Sequence, residues 1–372
     1  MKKKILIIDN STGITGAFKA IFYMADSIRH KYDFHFSIPP TSRRLREMIT
    51  EKKYGILLID FLELKKNLSV LLYFPSLILN SLRLIQFCRR EKIDIVHVND
   101  LYNLTGIVIK LVRPSTKVIY HLRLLSTSYG KMMYKFWARI INRFADKIIV
   151  VSEVVNLDAK KYIKISKVEL IYDFISLEEA YNIEASASSV VRFLYLGNYV
   201  KGKGHKYAIE AFSKALVSNR GMKLTFAGGY LGRAKNIRYK RTLQQEVVKH
   251  SLSDYVVFQD ISDEVEKLIK THDVVLNFSE SESFSMTCYE ALYYGKPVIA
   301  TYSGGPSELI ENNSTGLLVP CCDTDSMARA LLDLANSKEK RELFGKRGRD
   351  SLRARAVAND PNVKIDKIYQ SL

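Results

Sequence analysis

Short apolar segments alternate with amphipathic segments along most of the chain. In the first half we predict five strands from these apolar segments: Lys4–Asp9, Gly55–Asp60, Ile93–Val98, Lys117–Tyr120 and Lys147–Val151. Mostly apolar strands separated by helices are typical of a parallel sheet that is covered on both faces. The pattern therefore predicts a doubly wound, Rossmann-like domain.

The same pattern starts again in the second half of the chain. Six further strands are predicted there: Arg192–Gly197, Met222–Gly228, Tyr255–Phe258, Asp273–Asn277, Pro297–Ala300 and Gly316–Pro320. The polar stretch Glu178–Ser189 has no strong period, and we predict the linker in it. We expect an α/β chain with Rossmann-like domains at 1–180 and 181–355 facing a central cleft, and a C-terminal helix over 356–372 that packs back on the first domain.

The net charge of +18 is concentrated in one part of the 372 residues. Residues 1–150 hold 26 basic and 11 acidic residues, a net charge of +15, which leaves +3 for the remainder. A one-sided positive field attracts polyanions, either nucleic acid or an anionic membrane surface. No helix-turn-helix, RNP-type or zinc-finger pattern is present, so we expect no nucleic-acid partner. Four cysteines without a CxxC pair indicate a reduced, cytosolic protein without structural zinc.

Basic residues accompany apolar ones in two predicted helices of the first half. The first helix covers the apolar stretch Leu68–Phe87, where Ile78, Leu82 and Ile85 have helical spacing; its basic residues are Lys65, Lys66, Arg83, Arg89, Arg90 and Lys92. The second contains Lys131, Lys135, Arg139 and Arg143 beside Met132, Met133, Phe136 and Trp137. Each helix alone could simply cover the sheet with a wet basic face, but the charge of the whole region favours contact with a membrane surface. Polar residues within Leu68–Phe87, with Pro75, argue against a membrane span.

Two glutamates flank a predicted change from loop to helix. Glu282 follows the strand that ends at Asn277, and Glu290 falls within the helix expected to start near Ser285. The free amides of Phe284, Ser285, Met286 and Thr287 would then point at one spot, as in helix starts that bind phosphate. The alternative is a pair of solvated glutamates beside a buried helix.

The ordered motifs resemble those of family 4 glycosyltransferases, which have the GT-B fold and move a sugar from a nucleotide donor with retention of configuration. Glu282 and Glu290 match the family's E-x7-E motif. The residues that follow match in order and spacing: Ala291, Gly295, Lys296, Pro297, Val298, Gly304, Gly305, Pro306, Glu308 and Thr315–Pro320. The resemblance covers essentially the whole chain and is strongest from Arg192 to Asp323.

The resemblance implies roles for residues around this loop. Glu290 would bind the donor ribose, Glu282 would lie near the transferred sugar and the phosphates, and the amides of Ser285, Met286 and Thr287 would meet the diphosphate. Serines replace the family's glycines at Ser283 and Ser285.

A second implied element is Gly197–His205. Lys203 matches the family's lysine, which would neutralise the leaving diphosphate. Asn198 replaces the usual arginine, so a bidentate phosphate clamp is lost at this position. Either Lys201 or another cation substitutes, or donor binding is weaker.

Two residues of the first domain complete the implied site. Gly16, in the loop Ser11–Ala17, would offer its amide to donor phosphate or acceptor, although a plain strand–helix turn would explain it equally. His121 would form a hydrogen bond with a sugar hydroxyl rather than act as a base; without the family, a partly buried structural histidine would be the preferred interpretation.

No cofactor or essential metal is expected. Asp323 and Asp325 form a DxD triplet, for which helix capping is the preferred interpretation.

We therefore expect a cytosolic enzyme, peripheral at the inner face of the cell membrane. It would transfer a sugar from a nucleotide sugar to a glycan or lipid-linked acceptor in surface polysaccharide or glycolipid synthesis. The alternatives are a GT-B subunit that binds sugar nucleotides with weak or no activity, for which Asn198 is the argument, a related nucleotide-sugar enzyme, and a basic nucleic-acid-binding protein.

Overall fold

The computed structural model describes residues 2–62, 69–173, 190–260 and 265–372. The chain divides into two compact units: Met1–Leu177 with Asp360–Leu372, here unit 1, and Glu178–Asn359, here unit 2. The predicted linker Glu178–Ser189 and the predicted basic residues Lys65 and Lys66 lie outside the described residues.

Unit 1 contains a parallel sheet with, in its described part, seven strands in the order β3-β2-β1-β4-β5-β6-β7. The strands are β1 (Lys4–Ile8), β2 (Asp33–Ile38), β3 (Gly55–Leu58), β4 (Ile95–Val98), β5 (Lys117–Leu122), β6 (Lys147–Val150) and β7 (Val168–Leu170). The helices that alternate with them are α1 (Gly16–Ser27), α2 (Arg43–Glu51), α3 (Ser69–Glu91), α4 (Thr105–Val112), α5 (Ser126–Tyr129), α6 (Lys131–Phe144) and α7 (Glu153–Ala159), and a 3₁₀ turn spans Ile165–Lys167. The predicted Rossmann-like sheet is confirmed, with two strands added, β2 and β7.

Unit 2 repeats this architecture. Its described residues form a parallel sheet of six strands in the order β10-β9-β8-β11-β12-β13. The strands are β8 (Val191–Leu196), β9 (Met222–Gly228), β10 (Val256–Asp260), β11 (Val274–Asn277), β12 (Val298–Thr301) and β13 (Gly316–Val319). The helices are α8 (His205–Leu216), α9 (Ala234–Lys249), α10 (Val265–Thr271), α11 (Met286–Tyr293), α12 (Gly305–Leu309), α13 (Thr324–Asn336) and α14 (Lys338–Ala358). All six predicted strands are present, with ends that differ by at most two residues.

The last helix, α15 (Pro361–Ser371), belongs to unit 1. It starts after α14 has ended because Pro361 occupies its first turn and the Asp360 side chain accepts the amide of Asn362. Tyr369 is fully buried in the unit 1 core, and the Asp366 carboxylate accepts a 2.6 Å hydrogen bond from the Tyr32 hydroxyl. The predicted C-terminal helix thus packs on the first sheet, but over 361–371.

Candidate active site

The loops after β8 and β11 leave the unit 2 sheet where the strand order reverses. β8 is the first strand of the unit and lies between β9 and β11, so its two neighbours continue in opposite directions. In open parallel sheets, ligands bind beyond the carboxyl ends of the strands at such a reversal. Lys203 lies in the first of these loops and Glu282 in the second.

The two loops are in direct contact because one residue has no side chain. Gly204 precedes α8 with φ +78°, and a Cβ atom placed there would lie 1.9 Å from the carbonyl oxygen of Phe278. The amide of Glu280 donates to the carbonyl of Gly202 at 2.8 Å. The Tyr195 hydroxyl joins the loops further, donating to the carbonyl of Lys203 at 2.5 Å while it accepts the amide of Phe278 at 2.9 Å.

Two of the predicted site residues form an ion pair. The Lys203 ammonium lies 2.7 Å from Glu282 Oε1. The same carboxylate oxygen accepts the Ser279 hydroxyl at 2.8 Å and lies 3.4 Å from Asn277 Nδ2. The Glu282 side chain is 11% exposed and that of Lys203 39%. The carboxylate is therefore held in place, while the lysine remains open to an anion.

The start of α11 shows an unusual backbone. Ser285, the residue before the helix, has φ 86°, a region that favours glycine. Its hydroxyl accepts the amide of Cys288 at 3.3 Å and the side-chain amide of Asn277 at 2.8 Å. These two hydrogen bonds offset the backbone strain. They explain why serine is tolerated at a position where the family that the sequence resembles has glycine.

The other predicted donor-binding residues lie at the same helix start. Phe284 is buried, and Met286 and Thr287 are the first two residues of α11. The Thr287 hydroxyl donates to the carbonyl of Leu196 at 3.3 Å, which ties the helix to the end of β8. Glu290 is the fifth helical residue and is buried. The predicted amides thus belong to the first turn of α11 and to the two residues before it, beside the Lys203–Glu282 pair.

The Asn198 side chain forms a hydrogen bond between two loops of unit 2. Its side-chain oxygen accepts the amide of Gly229 at 3.2 Å, joining the loops that follow β8 and β9. Lys201, proposed as a substitute cation, is exposed at the tip of the same loop. The side chain at position 198 is therefore committed to loop packing.

In unit 1, the strand order reverses at β1, beside β4. Gly16 is the first residue of α1, and the Thr15 side chain caps that helix by accepting the amide of Phe18 at 3.1 Å. Gly16 therefore lies in an ordinary strand-to-helix turn, at the edge of the unit 1 sheet where β1 ends.

His121 is in β5 and only 3% exposed. Its imidazole stacks on that of His97, with ring centres 5.4 Å apart and planes 25° apart. Burial first, and then the charge of Arg123, lower the pKa of His97 to about 3 and hold the pKa of His121 well below its usual range. Both rings are therefore neutral at physiological pH, and their low pKa values make them weak proton acceptors. The hydrogen bond between His121 and a sugar hydroxyl stays a prediction.

Sequence reasoning missed a polar network beside His121. Arg123 forms a buried ion pair with Asp173 and donates from Nε to Asn99 Oδ1 at 2.8 Å. Asn99 in turn donates from Nδ2 to Asp9 Oδ2 at 2.5 Å. Asp9 and Asn99 each directly follow a buried strand, and a polar residue at that position is the signal that could have identified them.

The DxD triplet caps a helix. Asp323 accepts the amides of Asp325 and Ser326 at 3.2 and 3.0 Å at the start of α13. Across residues 2–62, 69–173, 190–260 and 265–372, no three His, Cys, Asp or Glu side chains come together as metal ligands would.

Two families of known proteins match the sequence of this chain. Residues 178–351 match the family described as "Glycosyl transferases group 1", and residues 61–179 match "Glycosyltransferase Family 4". The two matches together cover residues 61–351, and the two parallel-sheet units have the Rossmann-like architecture of the GT-B fold. The chain belongs to the family 4 glycosyltransferases.

Several known proteins are similar over large parts of the chain. The N-acetyl-alpha-D-glucosaminyl L-malate synthase of Bacillus anthracis is 27% identical over 56% of this chain and 55% of its own length. The alpha-1,3/1,6-mannosyltransferase ALG2 of Dictyostelium discoideum is 29% identical over 47% and 46%. The chain thus spans about half the length of these relatives.

Solved structures share the fold across the full length. Anabaena HepE in complex with UDP and glucose has a TM-score of 0.82 at 18% identity, covering 100% of both chains. Sucrose-phosphate synthase from Thermosynechococcus elongatus has a TM-score of 0.80 at 18% identity, covering 100% of this chain and 99% of its own. At such identities the likeness establishes the fold.

Proposed function

We propose that this enzyme transfers a sugar, with retention, from a nucleotide sugar to a glycan or lipid-linked acceptor in surface polysaccharide or glycolipid synthesis. The observation that carries the proposal is the Lys203–Glu282 pair, 2.7 Å apart, beside the first turn of α11 at the strand reversal of unit 2. The HepE structures with UDP and UDP-glucose support a nucleotide-sugar donor.

The chemistry needs a stabilised leaving group. The bond between the anomeric carbon and the diphosphate oxygen breaks, and the acceptor oxygen bonds to the same face of the sugar. The acceptor proton passes to the departing diphosphate, so no side-chain base is required. The amides of Ser285, Met286 and Thr287 and the ammonium of Lys203 would stabilise the growing negative charge. No essential metal enters this scheme.

Glu290 would hold the donor ribose, since a buried carboxylate can accept two sugar hydroxyls. Gly16 would contribute its amide to phosphate or acceptor. His121, neutral and buried, would donate to a sugar hydroxyl.

Titration of the chain with nucleoside diphosphates and nucleotide sugars, followed by a transfer assay, tests the donor site. Glu290→Ala should weaken nucleotide binding at least tenfold, since a hydrogen-bonded carboxylate is lost. Glu311→Ala, an exposed glutamate of unit 2, is the matched control. Undiminished binding by Glu290→Ala would remove the assigned role.

The alternative of a weakly active binding subunit is favoured by Asn198, whose side chain is used in loop packing. The two functions differ in turnover. If a nucleotide sugar binds but neither hydrolysis nor transfer is found with any acceptor, the binding subunit is the better description.

We also propose that unit 1 contacts an anionic membrane surface at the cytosolic face. Helix α3 has an exposed apolar face: Leu72, Phe74, Ile78, Leu79 and Leu82 are each 55–63% exposed. The opposite face of the same helix is buried and holds Leu84, Phe87 and Asn80. It also holds Ile85, which therefore does not share the exposed face with Ile78 and Leu82. A helix that buries one apolar face and exposes a second one has an unpartnered surface.

Charge identifies the partner of this face. Arg83, Arg89 and Arg90 are exposed toward the C-terminal end of α3. On α6, exposed Met132 and Phe136 lie among basic residues, also exposed: Lys131, Lys135 and Arg139. Apolar side chains flanked by cations suit the boundary of an anionic bilayer. Among the described helices, none is long and apolar enough to cross a bilayer.

Vesicle sedimentation tests this surface. The chain should bind vesicles with 30% phosphatidylglycerol and lose at least tenfold in partitioning when Ile78, Leu79 and Leu82 are all replaced by Ser, about the loss expected when several apolar side chains no longer insert. The exposed Val217→Ser of unit 2 is the matched control. Equal partitioning by the triple variant would refute the assignment of α3.

A further inference from the structure

His121 has one ring nitrogen with a partner and one without. Its Nδ1 lies 3.3 Å from Nη2 of Arg123. Its Nε2 is buried and has no hydrogen-bond partner among the residues that the structure describes. A buried polar atom without a hydrogen-bond partner lowers the stability of the folded chain, so a ligand that supplied the partner would remove this cost and gain binding energy.

The chemistry of the guanidinium decides where the imidazole carries its hydrogen. Arginine has five N–H donors and no acceptor. In the contact with His121, Arg123 must donate, and Nδ1 must accept with its lone pair. The hydrogen of the neutral ring then lies on Nε2, the nitrogen without a partner. The Arg123 contact therefore makes Nε2 a donor.

Arg123 itself is fixed by other polar side chains. Its Nε donates to Asn99 at 2.8 Å, and its Nη1 pairs with Asp173. Arg123 and Asp173 are each more than nine-tenths buried. The guanidinium thus has little freedom to turn away from the imidazole.

One face of the imidazole is also in contact with a fixed ring. The His97 ring stacks on it, and His97 Nδ1 lies 2.7 Å from the Tyr369 hydroxyl on α15. The described part of unit 1 therefore holds His121 between a guanidinium contact and a stacked ring.

We infer that Arg123 is a positioning residue that holds His121 as the neutral Nε2–H form, so that Nε2 donates to an oxygen of a bound sugar. The sugar as ligand rests on the proposed function, but the state of the ring does not. Arg123 acts through His121 and need not touch substrate.

Histidine ¹⁵N spectra of the full chain without ligand test the inference directly. In the native chain His121, assigned by comparison with a His121→Gln variant, should show only the Nε2–H form from pH 5.5 to 8. Arg123→Met should give a mixture of the two neutral forms or a protonated ring within that range, because both the donor and the neighbouring charge are gone. Arg123→Lys should restore the Nε2–H form at least in part, and Arg143→Met, on the surface, is the matched control.

Arg123→Met leaves the Asp173 carboxylate buried without its partner and could fail to fold. The double variant Arg123→Met with Asp173→Asn removes both charges and should show the same change in His121. An Nδ1–H signal in the native chain, or an unchanged His121 spectrum in the variants, would overturn the inference.

A transfer assay adds the functional consequence. Arg123→Met should lower kcat for sugar transfer about tenfold, the effect of one lost or misdirected hydrogen bond to substrate, and Arg123→Lys should recover part of it. If the chain shows no transfer at all, the proposed function fails while the spectra still decide the role of Arg123.

Discussion

Replacing Glu282 by Gln should strengthen the binding of a nucleoside diphosphate. In the structure the Lys203 ammonium is neutralised by Glu282 at 2.7 Å. A diphosphate must share the lysine with the Glu282 carboxylate or displace that carboxylate from it. The negative charge of Glu282 also repels the diphosphate. Gln keeps the size of the side chain and its contacts with Ser279, but removes the charge.

The partial exposure of the pair sets the magnitude. With side chains 39% and 11% exposed, the pair is screened by solvent, and such pairs contribute on the order of 1 kcal/mol. Releasing Lys203 should therefore lower the Kd of a nucleoside diphosphate about fivefold. Sugar transfer should fall at the same time, because Glu282 is proposed to lie near the transferred sugar.

Isothermal titration of the full chain with a panel of nucleoside diphosphates measures the change. Lys203→Met should weaken binding of the same ligand about tenfold, since one charge-assisted hydrogen bond is lost. The control is Glu280→Gln. Glu280 lies in the same loop as Glu282, and its exposed carboxylate accepts a hydrogen bond from Tyr207 of α8. Removing its charge should change Kd less than twofold. The reasoning is refuted if Glu282→Gln binds no better than the native chain while Lys203→Met binds much worse.

Three further results are expected. Ser285→Ala should lower the free energy of unfolding by about 1–2 kcal/mol in urea, because the helix cap is lost and the strained backbone remains; Ser285→Gly should lose less, and equal losses would argue against strain at φ 86°. Gly204→Ala should cost more than about 2 kcal/mol in the same assay, since the added Cβ meets a backbone oxygen at 1.9 Å, whereas Gly13→Ala, with nothing within 4 Å, should be tolerated. The free energy of unfolding should fall as the pH drops below about 6.5, because His97 is then protonated in the unfolded chain but not in the folded chain, where its pKa is about 3. For this group the slope is up to about 1.4 kcal/mol per pH unit. His97→Gln should reduce that slope.

Local pattern was sufficient to predict most of the strands. The segments that became β1, β3, β4, β5 and β6 are apolar runs with clear ends, as are all six strands of unit 2. β2, with the sequence Asp-Phe-His-Phe-Ser-Ile, alternates polar and aromatic residues and did not fit the pattern of a continuous apolar run. β7 has only three residues, too few for any period to be detected.

The candidate site was predictable where its residues are close in sequence. Glu282, Ser285 and Glu290 lie within one loop and one short helix, so their spacing indicates a shared location. The Lys203–Glu282 pair joins residues 79 positions apart and depends on β8 lying beside β11. Strand ends can be predicted from sequence, but strand order is decided by packing and crossover topology, which no local pattern contains.

Arg123 illustrates a second limit. It follows β5 as one cation in a strongly basic region, and nothing distinguishes it in sequence from the exposed arginines of α3. Its carboxylate partner, Asp173, is 50 positions away, beyond two further strands. A buried ion pair is recognised only when both partners are placed, because each residue alone is most often on the surface.

Each unit pairs a cation with a carboxylate beyond the ends of its strands. In unit 1 Arg123, which follows β5, is paired with Asp173, and in unit 2 Lys203, in the loop after β8, is paired with Glu282. A diphosphate bound at the proposed site would therefore meet a lysine that is already neutralised, and the backbone amides at the start of α11 would provide much of its binding energy. Such dipolar binding depends less on salt than binding to free cations does. Raising the salt concentration from 0.05 to 0.5 M should then weaken nucleoside diphosphate binding only slightly in the native chain and more strongly in Glu282→Gln, where the free ammonium contributes more.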